Sequence, residues 1–356
     1  MEKVRVGIVG TGNIAITWGN HLNGYNAVDY CEITAICDID EEKLNKVGEQ
    51  LGVPKERRFP DYKDLINCDA VDVVDIATWN SNHCEIAEAC ARAGKDFSVE
   101  KPVGMNYKEV YRLKQVAEEC GVKSFVCLSW RYRPYTRYAK DLITEGKLGK
   151  IYHICVRCIK DSGLWEGRKR EWRFDKSRAS SGVLCDLGSH MFDILHFWGE
   201  EFEEVYARKG IFITERPSEE TGEIVPVDTD DWCNIVAKLK SDASCIIELS
   251  RTATTISTGL LHFEVYGEKG VLTYSCTDKH TLTFTDAKNG ETEELTPPEM
   301  FGEIQSKSFI DLHKGIEDEY TAKIEHGLMC QAVIDAALKS SEENRPVTVD
   351  EILKDV

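Results

Sequence analysis

Short apolar runs alternate with amphipathic segments through the first third of the chain. The apolar runs cover residues 4–9, 32–37, 71–76, 96–99 and 124–128, and the amphipathic segments between them cover residues 13–23, 41–51, 83–93 and 107–120. Strands that are apolar on both faces are typical of a parallel sheet with helices on each side. This pattern predicts an α/β domain with a doubly wound parallel sheet over residues 1–125.

The pattern changes in the rest of the chain, where alternating strands are separated by short turns. The predicted elements are a helix over 135–145, a strand over 151–159, an irregular polar loop over 161–181, a helix over 186–198, strands over 204–214, 232–240, 244–251, 261–266, 270–275 and 281–285, and a helix over 301–341. Residues 126–356 are therefore predicted to form an α+β domain on one large, open, mostly antiparallel sheet. The free face of this sheet predicts a homo-oligomer that associates through it.

Composition narrows the class of protein. The 356 residues exceed what one hydrophobic core usually supports, which agrees with two domains. The net charge of −18 argues against nucleic-acid binding. A short basic run at Arg168, Lys169, Arg170 and Arg173 fits either a solvated loop or an anionic ligand. No apolar stretch approaches the ~20 residues that span a bilayer, and no export signal is recognisable, so we expect a cytoplasmic protein without a membrane partner.

A glycine-rich segment follows the first predicted strand and opens a helix. It reads Gly10-Thr-Gly12-Asn13-Ile14-Ala15. In this context the first glycine permits a tight turn, the second lets a pyrophosphate approach the backbone, and the helix N-terminus favours the phosphates. Asp38 ends the second strand, where a carboxylate binds ribose hydroxyls and repels a 2′-phosphate, so NAD is predicted over NADP. The alternative for Asp38 is a helix cap, although Asp40 is the better candidate for that role.

Further cofactor contacts are predicted where later strands end, because ligands bind at the carboxyl edge of such sheets. The candidates are Thr78, Trp79, Asn80, His83 and Glu100. For His83, a role as a helix-start residue is an equally good interpretation.

Two motifs carry candidate chemistry for the transfer of a hydride. Lys101 follows Glu100 and precedes Pro102, a residue type that permits a cis peptide bond. The ammonium of Lys101 is suited to stabilising a developing alkoxide. The alternative for Lys101 is a surface ion pair with Glu100.

Asp186 and His190 are four residues apart, which puts them on one helix face. The imidazole is a suitable proton acceptor near neutral pH, and Asp186 would orient it or bind substrate. We expect Lys101 and His190 to converge beside the nicotinamide ring.

Aromatic and arginine residues are concentrated where a polyhydroxylated substrate is expected. The candidates are Trp130, Arg131, Tyr132, Trp165, Trp172 and Arg173, with packing between domains as the alternative. No zinc-type histidine spacing accompanies His190, so we expect no metal.

The motifs together resemble the glucose–fructose oxidoreductase, inositol dehydrogenase and rhizopine catabolism (GFO/IDH/MocA) family. The residues that carry the resemblance are Gly10-Thr-Gly12-Asn-Ile-Ala15, Ala77-Thr-Trp-Asn80-Ser-Asn-His83, Glu100-Lys101-Pro102, Trp172-Arg173 and Gly182-Val-Leu-Cys-Asp186-Leu-Gly188-Ser-His190-Met-Phe-Asp193. The resemblance covers essentially the whole chain. It implies a Rossmann domain, a mainly β substrate domain, dimers or tetramers, and Lys101, Asp186 and His190 as catalytic residues.

Two departures from the family pattern bear on the substrate. Trp79 stands where a proline is usual, and Ser180-Ser181 replaces a run of glycines. The resemblance therefore implies an NAD-dependent dehydrogenase of a sugar, a cyclitol or a glycoside, in the last case at the C3 hydroxyl. Two alternatives stay open: a reductase of a ketose, dihydrodiol or other carbonyl compound, and a dinucleotide-binding sensor without turnover.

Overall fold

The structure is a computed structural model that describes residues 2–18, 21–254, 261–276, 279–302 and 304–356. Contacts within the chain define two compact units. The first combines Met1–Ser129 with Glu303–Leu328, and the second combines Trp130–Gly302 with Met329–Val356. The sequence predicted one division, between residues 125 and 126, and did not predict that Glu303–Leu328 belongs to the first unit. None of the described helices is both long and apolar enough to cross a bilayer.

The first unit contains a six-stranded parallel sheet. Its strands are β1 (Val4–Val9), β2 (Cys31–Cys37), β3 (Arg58–Phe59), β4 (Val73–Ile76), β5 (Asp96–Glu100) and β6 (Ser124–Cys127). They are ordered β3-β2-β1-β4-β5-β6, with all pairs parallel. This confirms the predicted doubly wound sheet. The prediction missed β3, whose two half-buried residues are too few to form an apolar pattern.

Helices flank this sheet. They are a π-helix at Ile14–Trp18, α1 (His21–Asn26), α2 (Glu41–Leu51), a 3₁₀ turn at Lys55–Arg57, α3 (Tyr62–Ile66), α4 (Asn80–Arg92) and α5 (Tyr107–Cys120). The helix predicted over 13–23 was wrong in form, because a π-helix occupies its first part and α1 begins at His21. Residues 19 and 20 lie outside the described residues. Single π-helical turns are often found at functional sites.

The second unit contains a nine-stranded mixed sheet. Its strands are β7 (Ile151–Ile159), β8 (Phe202–Gly210), β11 (Trp232–Leu239), β12 (Ser244–Ser250), β13 (Leu261–Gly267), β14 (Gly270–Cys276), β15 (His280–Asp286), β16 (Thr292–Glu294) and β17 (Val347–Thr348). A separate two-stranded ribbon consists of β9 (Glu215–Pro217) and β10 (Ile224–Pro226). The order is β16-β15-β14-β13-β7-β12-β11-β8-β17. β7 and β12 are parallel, whereas the other described neighbours are antiparallel, so the prediction of a mostly antiparallel sheet is confirmed.

Burial alternates along the central strands of this sheet. On β11, Cys233, Ile235 and Ala237 are buried, whereas Val236 between them is 57% exposed. Val236 pairs with Ile246 of β12, which is 53% exposed. One face of the sheet is therefore core, and the other carries exposed apolar side chains.

Several helical segments of the second unit precede the C-terminal region of the chain. They are a 3₁₀ turn at Ser129–Tyr132, α6 (Pro134–Thr144), 3₁₀ turns at Ser162–Leu164 and Trp172–Phe174, α7 (Lys176–Ala179), a π-helix at Leu184–Gly188, α8 (Ser189–Phe197) and a 3₁₀ turn at Glu299–Phe301. The predicted irregular loop over 161–181 therefore contains short helical turns. The helix predicted over 186–198 begins with a π-helical turn that includes Asp186.

The C-terminal region forms three helices, α9 (Gln305–His313), α10 (Ile324–Glu343) and α11 (Val349–Leu353). The single helix predicted over 301–341 was wrong. It is interrupted after α9, where Gly315 adopts φ +81° and is followed by the polar residues 317–320. In the first unit α9 contacts α1 and β6, and Phe309 of α9 lies 5.7 Å from Phe125 of β6, centroid to centroid. A segment late in the sequence thereby completes the core of the first unit.

Candidate functional site

The glycine-rich turn leaves room for a ligand beside the backbone. Gly10 adopts φ +98°, and a Cβ there would lie 2.4 Å from the carbonyl oxygen of Ala77. A Cβ on Gly12 would meet no heavy atom of the described residues within 4 Å. Asn13 next to it is exposed, and Ile14 begins the π-helix. Gly10 therefore permits the contact of the turn with the end of β4, and Gly12 keeps the outer side open, as phosphate binding requires.

Asp38 fixes the same turn from the end of β2. Its Oδ2 accepts hydrogen bonds from the backbone N–H and the hydroxyl of Thr11, both at 2.8 Å. Its Oδ1 accepts the N–H of Asp40 at 3.0 Å. Asp40 caps α2 by accepting the N–H of Lys43. Of the two acids considered for the helix cap, Asp40 therefore fills this role. Asp38 stays the candidate for the ribose hydroxyls.

The segment after β4 places the next candidates in two environments. Thr78 and Trp79 are half-buried beside the glycine-rich turn, whereas Asn80 is buried and begins α4, three residues earlier than predicted. The cofactor contact of His83 stays a prediction, and the ring has contacts inside the protein. Its ring is buried, with Nδ1 2.8 Å from the carbonyl oxygen of Pro102 and Nε2 3.2 Å from that of Thr78. Burial lowers the pKa of His83, and the neutral ring has one N–H to donate to one of these two carbonyl oxygens.

Glu100 and Lys101 lie where β5 ends. The Lys101–Pro102 peptide is cis, as the sequence suggested, and Lys101 is half-buried. The carboxylate of Glu100 is buried, and its cofactor contact stays a prediction. Oε1 lies 2.9 Å from Nε2 of His21, and Oε2 accepts the N–H of Lys101 at 3.1 Å. His21 was missed from the sequence, where the available signal was a charged residue, Asp75, inside an apolar strand.

Asp186 and His190 lie on the π-helix and on α8 of the second unit. The Asp186 carboxylate is partly exposed and pairs with the ammonium of Lys160, Oδ2 to Nζ 3.0 Å. His190 is buried and stacks on the indole of Trp130, with ring centroids 4.7 Å apart and planes 8° apart. Lys160, one residue past β7, was missed because nothing in its local sequence sets it apart. The site therefore contains an accessible ion pair of Asp186 and Lys160, and an imidazole that stacks parallel to the indole of Trp130.

Asp230 fixes the segment that leads into the π-helix. Its Oδ1 accepts the N–H of Gly182 at 2.8 Å, and its Oδ2 accepts the N–H of Leu184 at 3.0 Å. The hydroxyl of Ser181 donates to the same carboxylate, which is buried. A Cβ on Gly182 would lie 1.9 Å from the carbonyl oxygen of Asp230. This close contact explains the glycine and makes Asp230 a structural support for Asp186 and His190.

The substrate candidates at residues 130–132 lie in the core. Arg131 is fully buried and forms an ion pair with Asp193, Nε to Oδ2 3.1 Å, which favours the packing alternative over a substrate contact. Tyr132 is also buried, under the guanidinium of Arg137. Trp130 remains a candidate through its stacking on His190.

The other candidates lie on the loop between β7 and α8. Trp165 is 53% exposed, and Arg173 lies over the half-buried ring of Trp172 at 4.4 Å. Three of the four residues of the basic run form ion pairs, which are Arg168–Glu171, Arg173–Glu171, Arg170–Asp175 and Arg170–Asp228. These ion pairs favour the interpretation of the run as a solvated loop.

The parallel sheet, the open glycine-rich turn and the acid at the end of β2 define a dinucleotide-binding protein, here with a second α+β unit. Residues 4–127 match the model of an oxidoreductase family with an NAD-binding Rossmann fold, and residues 136–273 match the GFO/IDH/MocA C-terminal domain. The chain belongs to the GFO/IDH/MocA oxidoreductase family, and its cofactor is NAD.

Similar proteins are matched over most of their length. A myo-inositol 2-dehydrogenase of Thermotoga maritima is 28% identical, with 98% of this chain and 100% of the relative covered. A levoglucosan dehydrogenase of Pseudarthrobacter phenanthrenivorans is 27% identical, with 85% and 83% covered. The crystal structure of an oxidoreductase domain protein from Kribbella flavida is 25% identical with a TM-score of 0.87, and 98% and 100% are covered.

Proposed function

We propose that this protein is an NAD-dependent dehydrogenase that oxidises a secondary hydroxyl of a sugar or a cyclitol. The observation that carries the proposal is the arrangement of Asp186 and His190, a carboxylate accessible beside Lys160 and an imidazole stacked on Trp130. It supplies hydrogen-bonding groups and a proton acceptor for a hydroxyl. The two similar proteins are named as dehydrogenases of myo-inositol, a cyclitol, and of levoglucosan, a sugar derivative. Their names agree with this substrate class.

In the proposed mechanism, bound NAD supplies the hydride acceptor. His190 removes the hydroxyl proton as the carbon loses its hydride, and its stacking on Trp130 limits the orientations of the ring. Lys101 stabilises the oxygen as negative charge develops on it. Asp186 accepts a hydrogen bond from the substrate, with Lys160 fixing the carboxylate.

Substitution of the two proton-handling groups tests these roles. We expect Lys101→Ala and His190→Ala each to lower kcat at least ~100-fold, with the Kd for NAD little changed. Stopped-flow assays of NADH formation and calorimetric titration with NAD measure the two quantities. Lys114→Ala, a lysine on α5 that pairs with Glu118, is the matched control and should keep full turnover. Normal turnover in both active-site variants would overturn the assignment.

A substrate screen tests the reaction itself. NADH formation is measured with myo-inositol, levoglucosan, glucose and an aryl glucoside. A glycoside is a second candidate substrate, because the exposed Trp165 offers a flat surface to an aromatic aglycone. Reduction of a ketose by NADH without alcohol oxidation would favour the reductase, and NAD binding without turnover in either direction would favour the sensor.

We also propose that two copies of the chain associate through the open face of the nine-stranded sheet. Val236 and Ile246 lie side by side there and are more than half exposed. An exposed apolar patch on a broad sheet is typical of an interface. The two-fold association of identical chains is the commonest closed arrangement.

A further inference from the structure

A charged residue lies inside an otherwise apolar strand of the first unit. Asp75 belongs to β4, between Val74 and Ile76, and is fully buried. His21, the first residue of α1, places Nδ1 2.6 Å from Oδ2 of Asp75 and Nε2 2.9 Å from Oε1 of Glu100. All three side chains are buried. One imidazole ring therefore links two carboxylates in the core.

The geometry fixes the charge on this ring. A neutral imidazole has one N–H, and its other nitrogen accepts a hydrogen bond. Both nitrogens of His21 face carboxylate oxygens, and a ring that carries a proton on each nitrogen donates to both. Burial lowers the pKa of His21, but the charges and hydrogen bonds of Asp75 and Glu100 outweigh it and raise the pKa to about 10. His21 is therefore a cation throughout the neutral pH range.

A metal ion does not explain this cluster. The sulfur of Cys127 lies near His21 and Asp75, and these three side chains have the chemistry of a metal site. However, two ligands bound to one zinc ion at about 2.0–2.2 Å in tetrahedral geometry lie more than 3 Å apart. The 2.6 Å separation of Nδ1 and Oδ2 is instead that of a charge-assisted hydrogen bond.

The carboxylates depend on His21. Oδ1 of Asp75 is buried and has no hydrogen-bond partner among the described residues. Burial raises the pKa of the Glu100 carboxyl, and the hydrogen bond and charge of His21 lower it overall. A buried pair that loses one partner is left with an uncompensated charge, which is strongly unfavourable. Removing the imidazolium would therefore displace or protonate Glu100.

Glu100 transmits this constraint to the proposed catalytic lysine. Its Oε2 accepts the backbone N–H of Lys101 at 3.1 Å, while its Oε1 contacts His21. We propose that His21 is a positioning residue, which holds the Glu100 carboxylate and, through it, the backbone of Lys101 in the geometry that the reaction requires. This inference rests on the proposed function, in which Lys101 stabilises the developing charge.

Two isosteric substitutions separate the contacts of His21. The amide N–H of His21→Gln reaches the position of Nε2 and donates to Glu100, whereas that of His21→Asn reaches only the position of Nδ1 and donates to Asp75. We expect His21→Asn to lower kcat about tenfold or more, because small misplacements of catalytic groups are costly. His21→Gln should retain more turnover, and the KM for NAD should change less than about threefold in both. Asp75→Asn, which keeps the Glu100 contact, should stay within about threefold of wild-type kcat.

A double-mutant cycle with Lys101→Ala decides whether His21 acts through Lys101. In the Lys101→Ala background, His21→Asn should cause no further loss of turnover, as measured by NADH formation at high enzyme concentration. A loss of the same fold in both backgrounds, or wild-type kcat for His21→Asn, would overturn the inference. Normal turnover of Lys101→Ala itself would instead refute the proposed role of the lysine. If circular dichroism shows that His21→Asn does not fold, the Asp75→Asn/His21→Asn pair, with one buried charge fewer, enters the same cycle.

Discussion

At the scale of the residue, Asp38 combines an internal and a predicted external role. One oxygen fixes the glycine-rich turn through Thr11, and the other accepts the N–H of Asp40. The negative charge of the group determines which ribose it tolerates, because a 2′-phosphate carries charge of the same sign. An amide can keep the two hydrogen bonds to Thr11 without the charge, at the loss of the acceptor for the N–H of Asp40.

Asp38→Asn should change cofactor preference with little effect on the turn. The amide oxygen still accepts from Thr11, and the charge is lost, so we expect the ratio of kcat/KM for NADP to that for NAD to rise about tenfold. Steady-state assays with both cofactors measure the ratio. Asp40→Asn removes the same charge two residues away and should leave the ratio within about twofold. An equal rise in both variants would indicate a general charge effect and not a ribose contact.

The buried pair of Arg131 and Asp193 yields a prediction about stability. Arg131→Met leaves the Asp193 carboxylate without its partner in the core, which should lower the free energy of unfolding by about 3–5 kcal/mol. Arg131→Met/Asp193→Leu should recover most of the loss. Urea titration gives these values, and Lys238→Met, which breaks the exposed pair with Glu203, should cost under about 1 kcal/mol. Equal losses for the buried and exposed pairs would contradict the argument.

The sequence identifies site residues better than it identifies their contacts. The glycine-rich motif and Asp38 are recognisable because local chemistry alone requires glycines and an acid there. His83, Glu100 and Arg131 were assigned to ligands, yet each is engaged by a residue at least 19 positions away. Those partners are set by the tertiary fold. For the same reason Lys160 and His21 had no local signature.

At the scale of the element, the π-helix at Leu184–Gly188 determines how Asp186 and His190 are presented. It is held from outside by Asp230, which accepts the N–H groups of Gly182 and Leu184. Hydrogen bonds from buried groups to a charged acceptor are strong, and their loss leaves unsatisfied donors. The segment thus depends on a residue almost fifty positions downstream.

Asp230→Ala should therefore impair both stability and turnover. We expect the free energy of unfolding to fall by roughly 1–3 kcal/mol, with a lower kcat and unchanged NAD affinity, because the first unit is untouched. Urea titration and steady-state kinetics check both effects. The matched control is Asp228→Ala, which removes a more exposed carboxylate that accepts the N–H of Lys176. Similar kinetics for both variants would show that Asp230 has no special role in the site.

Regular elements were predictable where the apolar pattern was long. Five strands of the first sheet and the central strands of the second follow directly from it. The short strands β3, β9, β10, β16 and β17 were missed because two or three residues carry no periodicity. The helix predicted over 301–341 failed because apolar periodicity continues on both sides of a break that Gly315 allows.

At the scale of the whole molecule, the open face of the second sheet yields the last prediction. Val236→Glu places a charge in the centre of the proposed interface, so the assembly should dissociate to smaller species. Light scattering coupled to gel filtration measures the mass. Ile316→Glu is the matched control, since Ile316 is as exposed as Val236 but lies in the first unit. A wild-type chain that is monomeric, or an unchanged mass for Val236→Glu, would overturn the proposed association.

The placement of α9 has a consequence for how the protein is made. Ribosomes add roughly 5–20 residues per second, and early domains generally fold as they emerge. Here the nascent NAD-binding unit cannot bury Phe125 against Phe309 until every strand of the second sheet except β17 has been translated. The edge strand β6 stays uncovered during that interval. We therefore expect chaperones to bind the nascent chain mainly at the N-terminal unit, which is translated first.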